Sequence, residues 1–212
     1  PAWAAKWDIV PTLAVVETYT DNLSLAPDEF KQSDWVTQVI PGISIVATGA
    51  RLKFNAIYTP EVTYYGRGQQ DNKVYQRGHA FGNVELAKQL LFVDAGASVD
   101  QYNVSLQGPI TTSNINTTGN RSTVETYFVS PFFRRDFGSA VQAEARFTYS
   151  VTNSDDTSSL LNSAADRINL RLASGPAYKL LSWNLAYSKE TIDYETLGDI
   201  NTEVVMANAR RL

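Results

Sequence analysis

The chain contains one histidine, His79, and imidazole is the side chain best suited to exchange a proton near neutral pH. Its position shares the alternating register of Phe81, Asn83 and Glu85, which predicts that it lies on the polar face of a strand. A hydrolase would need an aspartate or a serine beside it. A hydrogen-bonded histidine in the barrel lumen is the alternative that we favour, so we predict that the protein is not an enzyme and has neither catalytic residues nor a cofactor.

Charged side chains recur on the same side of the predicted strands, and neighbouring strands supply both signs. They either line a pore or form cross-strand ion pairs that fill the interior. A barrel of about eight to ten strands is usually filled by its own side chains, whereas about sixteen strands leave a channel, so we favour ion pairs. With His79, the candidate lumen-lining residues are Arg51, Lys53, Glu61, Glu85, Asp94, Glu125, Glu144, Arg146, Arg167, Arg171 and Glu190.

Metal and thiol chemistry find little support. The chain has no cysteine, which excludes disulfides, thiolate ligands and thiol catalysis. Carboxylates cluster at 153–156 and at Asp21, Asp28 and Glu29, but neither segment has the spacing of a calcium loop, so we predict no metal site. The glycosylation sequons at 116–118 and 120–122 match a short pattern that arises by chance.

The elements that carry these residues are strands, because apolar and polar residues alternate with a period of two. Between residues 50 and 65, one face takes apolar residues from Leu52 to Tyr64, and the other takes Arg51, Lys53 and Glu61. About ten such strands are predicted, at 7–19, 33–47, 50–65, 76–88, 90–103, 121–134, 138–152, 164–174, 177–190 and 200–212.

The predicted connections fall into two alternating classes. Tight turns are expected at 48–49, 88–89, 135–137 and 175–176, and long polar loops at 21–32, 66–73, 104–120, 153–163 and 192–199. Transmembrane barrels have short periplasmic turns and longer extracellular loops, and their strands need about 9 to 11 residues. Aromatic residues near strand ends, such as Tyr102 and Tyr178, fit an aromatic girdle. We therefore predict an all-β, antiparallel, up-and-down transmembrane β-barrel; a soluble barrel or sandwich is the alternative.

Hydrocarbon offers no hydrogen-bond partners, so strands in a membrane must form a closed sheet. We expect one barrel domain over residues 1–212. The chain ends on Arg210, Arg211 and Leu212, without the terminal aromatic residue usual in such barrels. The ten strands are therefore either the whole wall or part of a larger barrel, and the oligomeric state stays open.

Several segments carry a resemblance to a known family: PTL at 11–13, ETYTDN at 17–22, SDWVTQVIPGIS at 33–44, GARL at 49–52, ELA at 85–87, LFVDA at 91–95 and VSPF at 129–132. In these segments the chain resembles outer-membrane β-barrels associated with the bacterial PEP-CTERM/exosortase system, whose members are generally longer. The resemblance implies a Gram-negative outer membrane and an exopolysaccharide or surface-protein export context. It implies no catalytic residues.

Two functions are therefore expected from the sequence. The first is a scaffold barrel of an envelope assembly, with outer-membrane lipid, other envelope proteins or exopolysaccharide as partners. The alternative is a porin-like barrel that passes solute or polymer through its charged lumen. A nucleic-acid partner is not expected, because the formal net charge is -4 and no run of Lys and Arg occurs.

Overall fold

The computed structural model describes residues 4–68, 70–105, 107–108, 110, 113–115, 117, 120–155, 162–178 and 180–211. Over these residues the protein is all-β, a single antiparallel up-and-down sheet with one short 3-10 helix at Asp28–Phe30. No helix in the described ranges is long and apolar enough to cross a membrane.

The sheet has twelve strands. They are β1 (Ala5–Thr20), β2 (Asp34–Gly49), β3 (Leu52–Tyr58), β4 (Glu61–Tyr65), β5 (Lys73–Tyr75), β6 (Gly78–Ala87), β7 (Leu91–Asn103), β8 (Arg121–Phe137), β9 (Val141–Ser154), β10 (Ser163–Ser174), β11 (Leu181–Tyr194) and β12 (Gly198–Arg211).

Twelve strands replace the predicted ten because the predicted strand at 50–65 is divided into β3 and β4, and because a short additional strand, β5, precedes the predicted strand at 76–88, which corresponds to β6. β3 and β4 both pair with the same edge of β2 and keep the same register. On their other edges, β3 pairs with β6 and β4 pairs with β5. The break between β3 and β4 falls at Thr59 and Pro60, and proline has no N–H to donate to the ladder. The chain therefore crosses the sheet ten times.

The connections agree with the prediction in part. Short turns at 50–51, 88–90, 138–140 and 175–180 lie at one end of the sheet, the turn end; loops at 21–33, 66–72, 104–120 and 155–162 lie at the other, the loop end. Three predictions were wrong. Residues 48–49 belong to β2, and the turn follows at 50–51. Residues 135–137 belong to β8, and the turn follows at Gly138, whose φ of +60° suits glycine. The predicted loop at 192–199 is a turn of residues 195–197, because β11 extends to Tyr194.

The alternation gives the sheet two different faces. The apolar face is exposed, and Leu13 and Val205 retain 70% and 73% of their accessible surface. Other exposed members of the apolar face are Val15, Ile43, Val129, Phe133, Phe147, Ile168, Leu170 and Leu185. The opposite face, the polar face, carries most of the charged strand residues. Monomers in water rarely expose contiguous apolar patches of more than a few hundred Å².

Directly opposed residues form a row that climbs across the sheet. The row starts at Trp7, near the turn end of β1, and reaches Asn201, near the loop end of β12, through Ala47, Phe54, Gly82, Ala95, Val129, Tyr149, Asp166 and Thr191. A climb of roughly nine residues at about 3.3 Å each, over nine strand spacings of about 4.8 Å, corresponds to a strand tilt of roughly 35°.

The sheet is not closed. Over the described residues β1 pairs only with β2, and β12 pairs only with β11. The up-and-down antiparallel arrangement is thus confirmed, and both edge strands present one row of main-chain groups without a strand partner.

Candidate functional site

The polar face collects most of the predicted site residues. Register places Lys53, Glu61, His79, Glu85, Asp94, Glu144, Arg146, Arg167, Arg171 and Glu190 on this face. Arg51 lies in the turn before β3. Glu125 differs from our expectation, because it is opposed to Val99 on β7 and Asn153 on β9, in the register of the apolar face. There its carboxylate accepts a hydrogen bond from the hydroxyl of Tyr127, at 2.8 Å.

The main charged cluster centres on Arg146 of β9. Its Nη1 donates to Asp94 Oδ2 at 2.7 Å and to Ser130 Oγ at 3.0 Å, while its Nε donates to Glu144 Oε1 at 3.2 Å. Asn83 donates its amide to the other oxygen of Asp94. One guanidinium therefore links side chains from β7, β8 and β9, and it forms ion pairs with two carboxylates.

Aromatic rings support the same cluster. The Arg146 guanidinium carbon lies 3.8 Å from the centre of the Phe132 ring, and Arg134 lies 5.2 Å from the same ring. Phe132 stacks on Phe92 with ring centres 5.0 Å apart. Arg134 in turn pairs with Glu144 at 2.8 Å. Two arginines and two carboxylates, stacked on a buried ring, form a neutral, closely bonded layer; we call it the Arg146 cluster.

A second ion pair joins β10 and β11. Arg167 donates to the Glu190 carboxylate, and Arg171 donates through Nε to Asn184 Oδ1 at 3.2 Å. These arginines are exposed, unlike Arg146, so screening by water weakens their contribution. Among the predicted lumen-lining residues, Asp94 with Arg146 and Arg167 with Glu190 thus form cross-strand ion pairs.

Glu61 belongs to a different, buried polar group near the loop end. The side chains of Gln38, Glu61, Thr63 and Asn114 are all buried, and the amides of Gln38 and Asn114 both donate to the Glu61 carboxylate, Asn114 at 3.1 Å. Asn114 comes from the loop between β7 and β8, which is therefore tied to the polar face of β2 and β4.

The same loop is held at further points. The hydroxyl of Tyr65 donates to the carbonyl of Ile115 at 3.3 Å, and the N–H of Thr117 donates to the carbonyl of Leu23 at 3.2 Å. Leu23, Val36 and Tyr65 form a small buried apolar cluster against which Ile115 packs. We call residues 113–117 of this loop, as far as they are described, the seated segment. Sequence reasoning treated it as a surface loop; the isolated Ile115 in a polar stretch was the available signal.

His79 is exposed on β6, opposed to Ile57 on β3 and Ser98 on β7. No hydrogen bond or ion pair joins it to a carboxylate of the described residues. Its described neighbours in the sheet are its strand partners on β3 and β7.

The acidic loop that follows β9 is organised by Asp155. Its carboxylate accepts hydrogen bonds from the Ser122 hydroxyl at 2.6 Å and the Thr123 N–H at 2.8 Å. Partial burial opposes the charged form, but these bonds outweigh it and lower the pKa of Asp155. Asp156, from the acidic segment at 153–156, and Asn116 and Thr118, from the sequon at 116–118, lie outside the described residues. Of the residues that are described, no three carboxylates or histidines are grouped to hold a metal ion.

Comparison of the chain with family models, with curated proteins and with solved structures returned no match. The resemblance to barrels of the PEP-CTERM/exosortase system therefore stays a prediction.

Proposed function

We propose that this chain forms part of the wall of an outer-membrane β-barrel and serves as a scaffold component of a bacterial envelope assembly. The observation that carries the proposal is the pair of faces: an exposed apolar surface backs a polar face whose charges bond to one another. In water the apolar face would be costly, whereas in hydrocarbon it is the surface that contacts lipid.

Strand length and tilt support the membrane proposal. Eight strands, β1, β2 and β7 to β12, have 12 to 17 residues each. A tilted transmembrane strand needs about 9 to 11 residues, and membrane barrels tilt by about 35–45°. The roughly 35° that follows from the climbing register falls at the lower limit of that range.

The unpaired edges of β1 and β12 determine how the proposed wall could be assembled. A strand edge in hydrocarbon leaves unpaired N–H and C=O groups that each cost several kcal/mol, so an inserted wall requires strands against β1 and β12. A scaffold role fits such a wall, and the export context implied by the family resemblance names envelope proteins or exopolysaccharide as partners.

The interior favours a scaffold over a pore. The Arg146 cluster neutralises its own charges across three strands, and the seated segment covers the polar face near the loop end. Porin-like transport is the second candidate; the exposed pair of Arg167 and Glu190 on the polar face is the observation that favours it.

The test is insertion of the purified chain into phosphatidylcholine vesicles, followed by a urea wash, trypsin and mass spectrometry. Insertion predicts cleavage after Arg67 in a loop and protection of Arg146 and Lys189 in strands. Removal of the chain by urea, or equal cleavage at all three, contradicts the membrane assignment. Planar-bilayer conductance on the same sample separates the two functions, since steady open-channel current supports transport and its absence supports the scaffold.

A further inference from the structure

The apolar face contains a groove near the turn end, over β8 to β11. Its volume is about 480 Å³, within the range of about 300 to 1,000 Å³ typical of small-molecule sites. Two small residues, Ala143 and Ala145 of β9, form the floor. Phe133 and Phe137 of β8 stand on one side, and Leu170 and Leu172 of β10 stand on the other.

Register explains the shape of the groove. Phe133, Ala145 and Leu170 are directly opposed in one row, and Arg135, Ala143 and Leu172 are opposed in the next row toward the turn end. Each row runs from a large side chain through alanine to leucine. Two successive rows of this kind leave a channel along β9, one side chain wide and parallel to the strand.

A cation stands at the turn end of this channel. Arg135 lines the groove, lies two residues from the end of β8, and takes part in no ion pair with another described residue. The neighbouring Asp136 lies on the opposite face, where it accepts from Gln142. An arginine on the lipid side destabilises a membrane barrel strongly at the bilayer midplane but little near an interface, which suits this position.

We propose that the groove binds an anionic glycerophospholipid, with one acyl chain along Ala143 and Ala145 and the phosphate on Arg135. The inference rests on the proposed function, because it requires the apolar face to meet lipid and the turn end to lie at a membrane interface. An unpaired guanidinium recognises phosphate through charge-assisted, bidentate hydrogen bonds. A linear acyl chain matches an apolar channel with a small-residue floor. The site therefore selects a chain and a phosphate together.

The experiment measures lipid retained by the purified full chain in neutral detergent, by native mass spectrometry. The probes are phosphatidylglycerol, diacylglycerol without phosphate, and inorganic phosphate alone. We expect phosphatidylglycerol to bind at least tenfold more tightly than either other probe, since one charge-assisted hydrogen bond of about 1.5–3 kcal/mol corresponds to a factor of ten or more.

Variants assign the two parts of the site. Arg135→Gln removes the phosphate contact, and Ala145→Leu fills the floor; each is expected to lower phosphatidylglycerol retention about tenfold. The matched controls are Arg167→Gln on the polar face and Ala97→Leu, on the apolar face outside the groove, and both are expected to retain the lipid. Equal retention by wild type and Arg135→Gln, or equal binding of diacylglycerol, overturns the lipid site.

Vesicle insertion of the same preparations separates this failure from failure of the proposed function. A wild-type chain that inserts and resists urea but shows no lipid selectivity overturns the lipid site alone. A chain that does not insert overturns both proposals.

Discussion

The guanidinium of Arg146 on β9 lies 2.7 Å from the carboxylate of Asp94 on β7, although the whole of β8 runs between their strands. Both side chains are about four-fifths buried, with 21% and 16% of their side-chain surface exposed. The pair therefore joins three adjacent strands on the polar face.

Removal of either partner of this ion pair should lower the free energy of unfolding. Arg146→Met leaves Asp94 without its cation, and we expect a loss of about 1–3 kcal/mol, measured as a lower urea midpoint of the refolded chain. Asp94→Asn should cost a similar amount. The double variant should cost less than the sum of the two, by more than 0.5 kcal/mol if the residues are coupled. Additive losses would contradict the coupling.

A charged residue introduced on the apolar face should destabilise the protein more than the same residue introduced on the polar face. Leu170→Arg places a guanidinium on the apolar face, and the proposed membrane wall predicts a loss of about 2–4 kcal/mol for a position near the bilayer midplane. Ser188→Arg is the matched control, because Ser188 lies on the polar face two residues from Glu190. Urea titration in vesicles measures both, and equal losses would show that Leu170 does not face lipid.

The sequence predicted the strands well because a period of two is a local property that residues near in sequence encode. It predicted β8 less well. Val124, Phe128 and Phe132 occupy one face of β8 while Tyr127, Val129 and Phe133 occupy the other, so neither face is clearly apolar. The face of Glu125 follows only from its pairing with β7 and β9.

Other features depend on contacts between residues distant in sequence. Asn114 and Glu61, which form a hydrogen bond, are 53 residues apart in the sequence, and no local sequence pattern predicts their contact. The position of the turn after β8 depends on how far Arg134 and Glu144 pair across the hairpin. The groove likewise arises from rows of opposed residues on four strands, and a single strand sequence contains only one member of each row.

Gly96 provides a packing test. It is opposed to Phe81 and Phe128, and a Cβ atom added at Gly96 would lie 2.3 Å from Cε1 of Phe128. We expect Gly96→Ala to cost about 1–3 kcal/mol, because the ring must leave its position. Gly82→Ala is the control, since its nearest contact would be 3.4 Å, in ordinary van der Waals range. A urea midpoint lowered equally by both would contradict the packing argument.

Asp155 gives a pH dependence. Its pKa is lowered in the folded state by the bonds from Ser122 and Thr123, so its contribution to stability is complete above its ordinary pKa of 3.8. That contribution is lost as the pH falls below 3.8 and through the lowered value. We expect Asp155→Asn to be less stable than wild type at pH 6, with the difference narrowing below about pH 4. Asp71→Asn, in an exposed loop, should show no such narrowing.

The seated segment should be released by removal of its carboxylate anchor. Glu61 accepts from two amides, and Glu61→Gln replaces an acceptor with a donor that faces the Gln38 and Asn114 amides. We expect the loop at 104–120 to be cleaved several-fold faster by a non-specific protease such as proteinase K, with strand segments still protected. Glu29→Gln on the exposed 3-10 helix is the control and should leave the rate unchanged.

If Glu61→Gln leaves loop cleavage at the wild-type rate, the carboxylate does not hold the segment in place. If single-channel current appears in Glu61→Gln but not in wild type, the seated segment closes an opening at the loop end, and the polar face then lines a gated pore.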